Sequence, residues 1–221
     1  MNEIKYEIKK IADKIYSVVV PDFYDRAMLF LRPQEFYEGT NTKFRNKDFC
    51  IFDFMKWYSA QEYRNGAFTY ADDWGVFNIP FDIALKCYKN SPMQTPYDIT
   101  FSLYILGTID EVGSYIIGTD GTDKELFDHE LAHALFYTNK EYKKEMLALV
   151  NKLPENIKND INLHLNEMGY TKKVYKDEIQ AYLSSYCLSS NYFNRISKVE
   201  LKKYKKTFSE ILKKYKSICI F

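Results

Sequence analysis

The stretch TDKELFDHELAH, residues 122–133, decides how the second half of the chain folds. It opens with Thr122 and Glu125 in a capping-box pattern. In this pattern the threonine hydroxyl accepts from a backbone N–H of the first turn, and the glutamate carboxylate accepts from the backbone N–H of the cap residue. The pattern predicts that a helix begins here. On that helix His129 and His133, four residues apart, lie on one face about one turn from each other.

Two imidazoles placed in this way can bind one zinc ion, each at about 2.0–2.1 Å. Glu130 is rotated by roughly 100° from His129, so it lies beside the metal and not on it. A carboxylate there can accept a proton from a water that zinc has made acidic. The sequence therefore predicts Zn²⁺ as the cofactor, His129 and His133 as metal ligands, and Glu130 as the catalytic base. The alternative is a surface helix with two incidental histidines.

Zinc hydrolases usually have three protein ligands and a water, so a third ligand is expected downstream. The metzincin pattern does not supply it, because Phe136 and Asn139 stand where that family has glycine and histidine. The acidic and histidine side chains that remain as candidates are His164, Glu167, Asp177 and Glu178.

The motif together with DEIQAY, residues 177–182, resembles the gluzincin metallopeptidases, the thermolysin-like and lethal-factor-like group. The resemblance covers roughly residues 114–188. It implies that Glu178, on a later helix antiparallel to the motif helix, is the third metal ligand. His164 remains the alternative, because imidazole is a good zinc ligand, although it falls near the apolar stripe of its own helix.

The sequence departs from that family at one position. Many gluzincins carry an aspartate four residues after the ligand glutamate, where it orients a zinc-binding histidine. Tyr182 stands there in this chain. Asp128 or Asp177 is the residue that can take this orienting role instead.

A tyrosine is the candidate for stabilising the oxyanion of a tetrahedral intermediate. Tyr182 is predicted for this catalytic role because it shares a helix face with Glu178, while Tyr170 and Tyr186 are alternatives. In zincins a substrate-binding edge strand precedes the motif helix. The strand predicted at 114–117 takes that position, so Tyr115 and Ile116 are predicted to bind substrate by strand pairing; the alternative is an ordinary core strand.

The pattern of apolar residues predicts an α+β fold, with a small N-terminal sheet region packed on a mainly helical C-terminal half. Residues 1–112 are predicted to be an N-terminal α/β region and residues 113–221 a zincin-like helical catalytic region, together forming one compact unit. Ile4, Ile8, Ile11 and Ile15 recur at helical spacing with charged residues between them, which predicts an amphipathic helix at the N-terminus. The other predicted elements are strands at 75–80 and 113–118, and helices at 81–89, 141–151, 154–168, 174–188 and about 199–215.

Composition limits the cellular role. A net charge of +1 gives no electrostatic case for nucleic acid. No apolar run is long enough for a membrane span. Residues 1–14 are charged throughout and lack the apolar segment of a secretory signal, so the protein is expected in the cytoplasm. Export by a specialised route is also compatible with this sequence. Eight lysines at 198–216 fit either a solvated helix face or an anionic partner, and Cys87 and Cys187 are expected to be buried thiols.

Three functions fit these patterns. The first is a zinc-dependent peptidase that acts on a peptide or protein substrate, with Glu130 as general base. The second is a non-peptidase zinc hydrolase or deamidase. The third is a binding protein with a catalytically silent zincin-like helix. The oligomeric state is left open.

Overall fold

A computed structural model of the chain describes residues 3–89, 93–185 and 198–220, the last range with side chains from residue 201 onward. The described residues contain a small sheet in the first half of the chain and mainly helices elsewhere. The predicted α+β class is therefore confirmed. No helix in the described part of the chain is both long and apolar enough to cross a membrane.

The chain divides into two compact units. The first consists of Met1–Lys10 and Lys14–Thr122, and the second of Ile11–Asp13 and Asp123–Phe221. The change of unit at Asp123 falls at the start of the motif helix. The strand that precedes this helix thus belongs to the sheet of the first unit.

The sheet has four strands in the order β1-β2-β4-β3. Strand β4 runs parallel to β2, with Ile15 opposite Tyr115, and antiparallel to β3, with Pro80 opposite Tyr115. A Cβ on Gly118 would lie 2.5 Å from the Phe30 ring, which explains a glycine inside this strand. The strands are β1 (Glu7–Ala12), β2 (Ile15–Val19), β3 (Phe77–Pro80) and β4 (Tyr115–Thr119).

The prediction of a substrate-binding edge strand at residues 114–117 is wrong. Strand β4 has a hydrogen-bonded neighbour on each side, so neither of its edges is available to an extended peptide. Tyr115 and Ile116 are buried as well. Strand pairing therefore gives no support for a substrate-binding role of these two residues.

The helix predicted from the isoleucines at the N-terminus is also wrong. Residues 7–12 and 15–19 form strands β1 and β2, joined at a two-residue turn in which Lys14 has φ 57°. From residue 3 to residue 9 polar side chains alternate with Ile4, Tyr6 and Ile8, which is the period of a strand. These β-branched and aromatic residues pack well on a sheet, and this preference prevails over the helical spacing.

Helix α1 is the central helix of the first unit and is buried continuously from Arg26 to Phe36. Asp22 caps its N-terminus by accepting from the backbone N–H of Asp25 at 2.8 Å. The helix continues through Pro33, although proline removes a backbone donor. The helices of the first unit are α1 (Phe23–Glu38), α2 (Ile51–Ser59), α3 (Tyr70–Asp73), α4 (Phe81–Lys89), α5 (Pro96–Ile99) and α6 (Leu106–Ile109), with a 3-10 turn at Glu62–Arg64 and a π-helical segment at Thr100–Ile105.

A buried carboxyl group in α1 should make the first unit sensitive to pH. Glu35 accepts a hydrogen bond from the Tyr70 hydroxyl at 3.0 Å. Burial raises the pKa of Glu35 from 4.5 to about 7, and the Tyr70 hydrogen bond opposes this only in part. Between these values the folded state holds a proton that the unfolded state has lost. The stability contributed by the neutral acid is therefore complete below pH 4.5 and is lost as the pH rises through 7.

We expect Glu35→Gln to remove this loss, because the amide is neutral at every pH and still accepts from Tyr70. The gain in unfolding free energy above pH 7 should be up to about 3 kcal/mol. Fluorescence in a urea titration measures it selectively, because both tryptophans, Trp57 and Trp74, lie in the first unit. The exposed Glu62→Gln is the control, and a Glu35→Gln variant that keeps the wild-type pH dependence would refute the prediction.

The second unit contains the motif helix and the helices that the sequence predicts after it. The motif helix α7 begins at Lys124, because the Asp123 carboxylate accepts from the backbone N–H groups of Glu125 and Leu126. The predicted cap at Thr122 is therefore wrong by one residue. The helices are α7 (Lys124–Thr138), α8 (Lys140–Lys152), α9 (Glu155–Glu167), α10 (Tyr175–Ser184) and α11 (Lys198–Lys216).

Helix α11 is amphipathic, with Leu201, Phe208, Leu212 and Tyr215 buried. From residue 202 onward none of its lysines is buried, and Lys214 pairs with Glu145 of α8 at 2.7 Å. Among the cysteines, Cys87 is buried as predicted, whereas Cys187 lies outside the described residues.

Candidate metal centre

The two motif histidines and Glu178 meet inside the second unit. His129 and His133 come from α7 and Glu178 from α10, and all three side chains are buried. One ligand atom from each lies within 4.8 Å of the others. The two Nε2 atoms are 3.2 Å apart, and His133 Nε2 lies 3.8 Å from Glu178 Oε2. The structure thus assembles a buried group that can hold a metal ion.

Small residues and one polar link bring the two helices together. Ala132 on α7 and Ala181 on α10 are fully buried, and helices α7 and α10 are in direct contact. Gln180 donates a hydrogen bond to the Ala132 carbonyl at 3.2 Å, which fixes the position of α10 along the axis of α7. The i, i+4 spacing of the histidines then aims both rings at α10.

A carboxylate orients the ring of His133. Asp177 Oδ1 lies 2.9 Å from His133 Nδ1 and can only accept, so Nδ1 carries the proton of the neutral ring. Asp177 thus occupies the orienting position for which the sequence offered two candidates. The other candidate, Asp128, pairs with Lys216 of α11.

A serine that the sequence analysis did not single out orients the ring of His129. Ser185 Oγ donates to the Ala181 carbonyl at 2.7 Å and lies 3.2 Å from His129 Nδ1. Its one proton is already used, so it accepts from Nδ1–H of the ring. Ser185 follows Glu178 by seven residues, two helical turns, and this spacing was the only signal in the sequence.

When both rings are neutral, as metal binding requires, these hydrogen bonds leave a lone pair on each Nε2 atom, and the two atoms are 3.2 Å apart. Glu178 Oε2 is buried there and accepts no hydrogen bond from any described residue. Two atoms at about 2.05 Å from a tetrahedral ion are about 3.3 Å apart, close to the separation of the two nitrogens. The residues present thus fit a metal ion, because a cation would accept the lone pairs of both nitrogens and give the buried Glu178 Oε2 the partner that it lacks as a hydrogen-bond acceptor.

The electrostatics of the site also favour one added positive charge. Burial and the proximity of His133 lower the pKa of His129 well below its usual value. Burial opposes protonation of His133 too, but the charges of Asp177 and Glu178 outweigh it and raise its pKa well above 6.5. Burial raises the pKa of Glu178 to about 7. The carboxylates that would hold a proton on His133 would equally hold a metal ion.

Two further predicted catalytic residues lie beside this group. Glu130 is buried, and its charge raises the pKa of both His133 and Glu178, so its carboxylate is near them. The Tyr182 ring is buried with its centroid 4.7 Å from that of His129.

The alternative metal ligand does not join the group. His164 lies on α9, half-buried between the buried residues Ile161 and Leu165. It is absent from the set of ligand atoms that the described residues bring together. The structure therefore brings Glu178, and not His164, to the motif histidines.

No protein-family model, curated protein or solved structure gives a significant match to this chain.

Proposed function

We propose that the chain is a zinc-dependent peptidase of gluzincin type, with zinc held by His129, His133 and Glu178. The observation that carries the proposal is the buried Oε2 of Glu178, which accepts no hydrogen bond from a described residue and lies beside the Nε2 atoms of both motif histidines. Two imidazoles and a carboxylate match the donor set of thermolysin-type catalytic zinc sites.

The number of donors favours a catalytic site over a structural one. Structural zinc sites have four protein ligands, most often with cysteine. In the described part of the chain this group contains three, and no cysteine is among them. A three-ligand site leaves one coordination position for water or substrate, which hydrolysis requires.

In the proposed mechanism a Zn²⁺ ion held by His129, His133 and Glu178 would supply Lewis acidity, which would make a water acidic and polarise the scissile carbonyl. Glu130 accepts a proton from the attacking water and passes it to the leaving amine. Asp177 and Ser185 hold the two imidazoles in the tautomer that directs Nε2 inward. Tyr182 donates a hydrogen bond to the developing oxyanion and keeps its proton.

The proposed substrates are peptides or proteins, because the HExxH motif with a downstream glutamate resembles peptidases of that type. A deamidase or another zinc hydrolase is the second candidate. Cys50, Cys87 and Cys219 are free thiols, which suits the proposed cytoplasmic location.

Digestion of a peptide library by the zinc-loaded protein tests the function, with mass spectrometry as the readout. We expect cleaved backbone bonds, lost with a chelator and restored by one equivalent of zinc. Products that differ only by conversion of side-chain amides to acids would indicate a deamidase. Stoichiometric zinc with no product of either kind would show a catalytically silent protein.

A further inference from the structure

A chain of buried hydrogen bonds extends from the metal centre into the core of the second unit. His133 Nδ1 donates to Asp177 Oδ1 at 2.9 Å, and Gln180 Nε2 donates to the same oxygen at 2.9 Å. At the other end of the amide, Gln180 Oε1 accepts from the Tyr142 hydroxyl at 2.8 Å. Gln180 and Tyr142 have no exposed surface at all.

The surroundings of Gln180 admit one orientation of its amide. The NH₂ group faces the Ala132 carbonyl and the Asp177 carboxylate, both of which only accept. The carbonyl oxygen faces the hydroxyl of Tyr142, whose proton it accepts. A flipped amide would place its oxygen against two acceptors, so the Ala132 carbonyl and the Asp177 carboxylate enforce this orientation, and the Tyr142 hydroxyl is free to donate to the oxygen that results.

Among the residues of this hydrogen-bond network, Asp177 is the one whose orientation needs support from a neighbour. Its side chain is 29% exposed, whereas that of His133 is 7% exposed. An exposed carboxylate can rotate towards water, and the orientation of the His133 ring would then be lost. A hydrogen bond from the fully buried Gln180 amide at 2.9 Å opposes such a rotation, because the rotation would break it.

We propose that Gln180 is a positioning residue for the metal centre, which fixes the Asp177 carboxylate and through it the ring and tautomer of His133. This inference rests on the proposed zinc site. The HExxH motif does not include Gln180, whose recorded hydrogen bonds go to Asp177, Ala132 and Tyr142.

A double-mutant cycle on zinc affinity tests the inference. Gln180→Met removes both amide donors at nearly constant volume, and Asp177→Ala removes the carboxylate. We expect either single change to weaken zinc binding about 10–100-fold, the usual cost of losing an outer partner. In the Asp177→Ala background, Gln180→Met should have almost no further effect, because Gln180 then has nothing to position.

A purely structural role gives a different result. Gln180→Met would then weaken zinc binding by the same factor in both backgrounds, and the inference would be wrong. It would also be wrong if Gln180→Met alone left the affinity unchanged. Tyr142→Phe is the matched control. It removes a hydroxyl from the same hydrogen-bond network but leaves the hydrogen bond from Gln180 to Asp177 in place. Its effect should be much smaller than that of Gln180→Met.

A chromophoric chelator in competition gives the zinc affinity, and the visible spectrum of the Co²⁺-loaded protein reports the ligand geometry. Gln180→Met and Asp177→Ala should change this spectrum in the same way. If Gln180→Met does not fold, Gln180→Asn replaces it, since an amide one methylene shorter cannot reach both Asp177 and Tyr142. Absence of zinc from the unsubstituted protein would refute the metal site itself, whereas zinc bound equally by wild type and Gln180→Met would refute only the role of Gln180.

Discussion

Glu130→Gln is expected to leave zinc bound and to slow peptide hydrolysis by about 10²–10⁴-fold, the usual contribution of a general base. The amide preserves the shape of the side chain in its buried position beside His129. It cannot accept a proton from the attacking water, so only the base is removed. Zinc content and turnover measured on the same sample separate the two effects.

Glu125→Gln is the matched control for this experiment. It makes the same chemical change on the same helix, at an exposed position in the first turn. The control should retain both zinc and turnover. A Glu130→Gln variant with near-normal turnover would remove Glu130 from the mechanism.

His133→Ala is expected to abolish stoichiometric zinc binding. The change removes a ligand from a group of three and leaves the carboxylates of Asp177 and Glu178 without the ring between them. The loss should exceed the about 10–100-fold effect of losing an outer partner. His129→Ala should have the same result. A catalytic zinc site needs three protein ligands, and either change leaves only two.

His164→Ala controls for the general loss of a histidine, since the chain has three in all. It should bind zinc like the wild type, because His164 lies outside the metal group. Stoichiometric zinc retained by either motif variant, measured by inductively coupled plasma mass spectrometry after gel filtration, would contradict the motif interpretation.

The histidine pair could be predicted from the sequence because its geometry is local. An i, i+4 spacing places two side chains on one helix face whatever the rest of the fold does. Glu178 required the resemblance to a known arrangement, since α10 reaches the motif helix only through tertiary packing. Asp177 was one of two candidates for orienting a motif histidine, whereas the sequence did not show that Gln180 or Ser185, on the same short helix or at its end, would face this site.

The errors in the predicted fold have two causes. One segment fits two periodicities at once, and the position of one strand depends on pairing with residues far away in the sequence. The isoleucines near the N-terminus fit a helical spacing, while their alternation with charged residues fits a strand, and the sheet decides between them. Strand β4 lies between β2, which is 100 residues earlier, and β3. Neither neighbour can be inferred from the apolar run of β4 itself, so its interior position was missed.

Anomalous scattering tests the central claim most directly, in crystals of the protein equilibrated with one equivalent of zinc. Difference maps from data on either side of the zinc absorption edge locate the ion without assumptions about its ligands. We expect one peak, within about 2.0–2.2 Å of His129 Nε2, His133 Nε2 and a Glu178 carboxylate oxygen. A peak bound by His164, or no peak between the two motif histidines, would contradict the proposed metal centre.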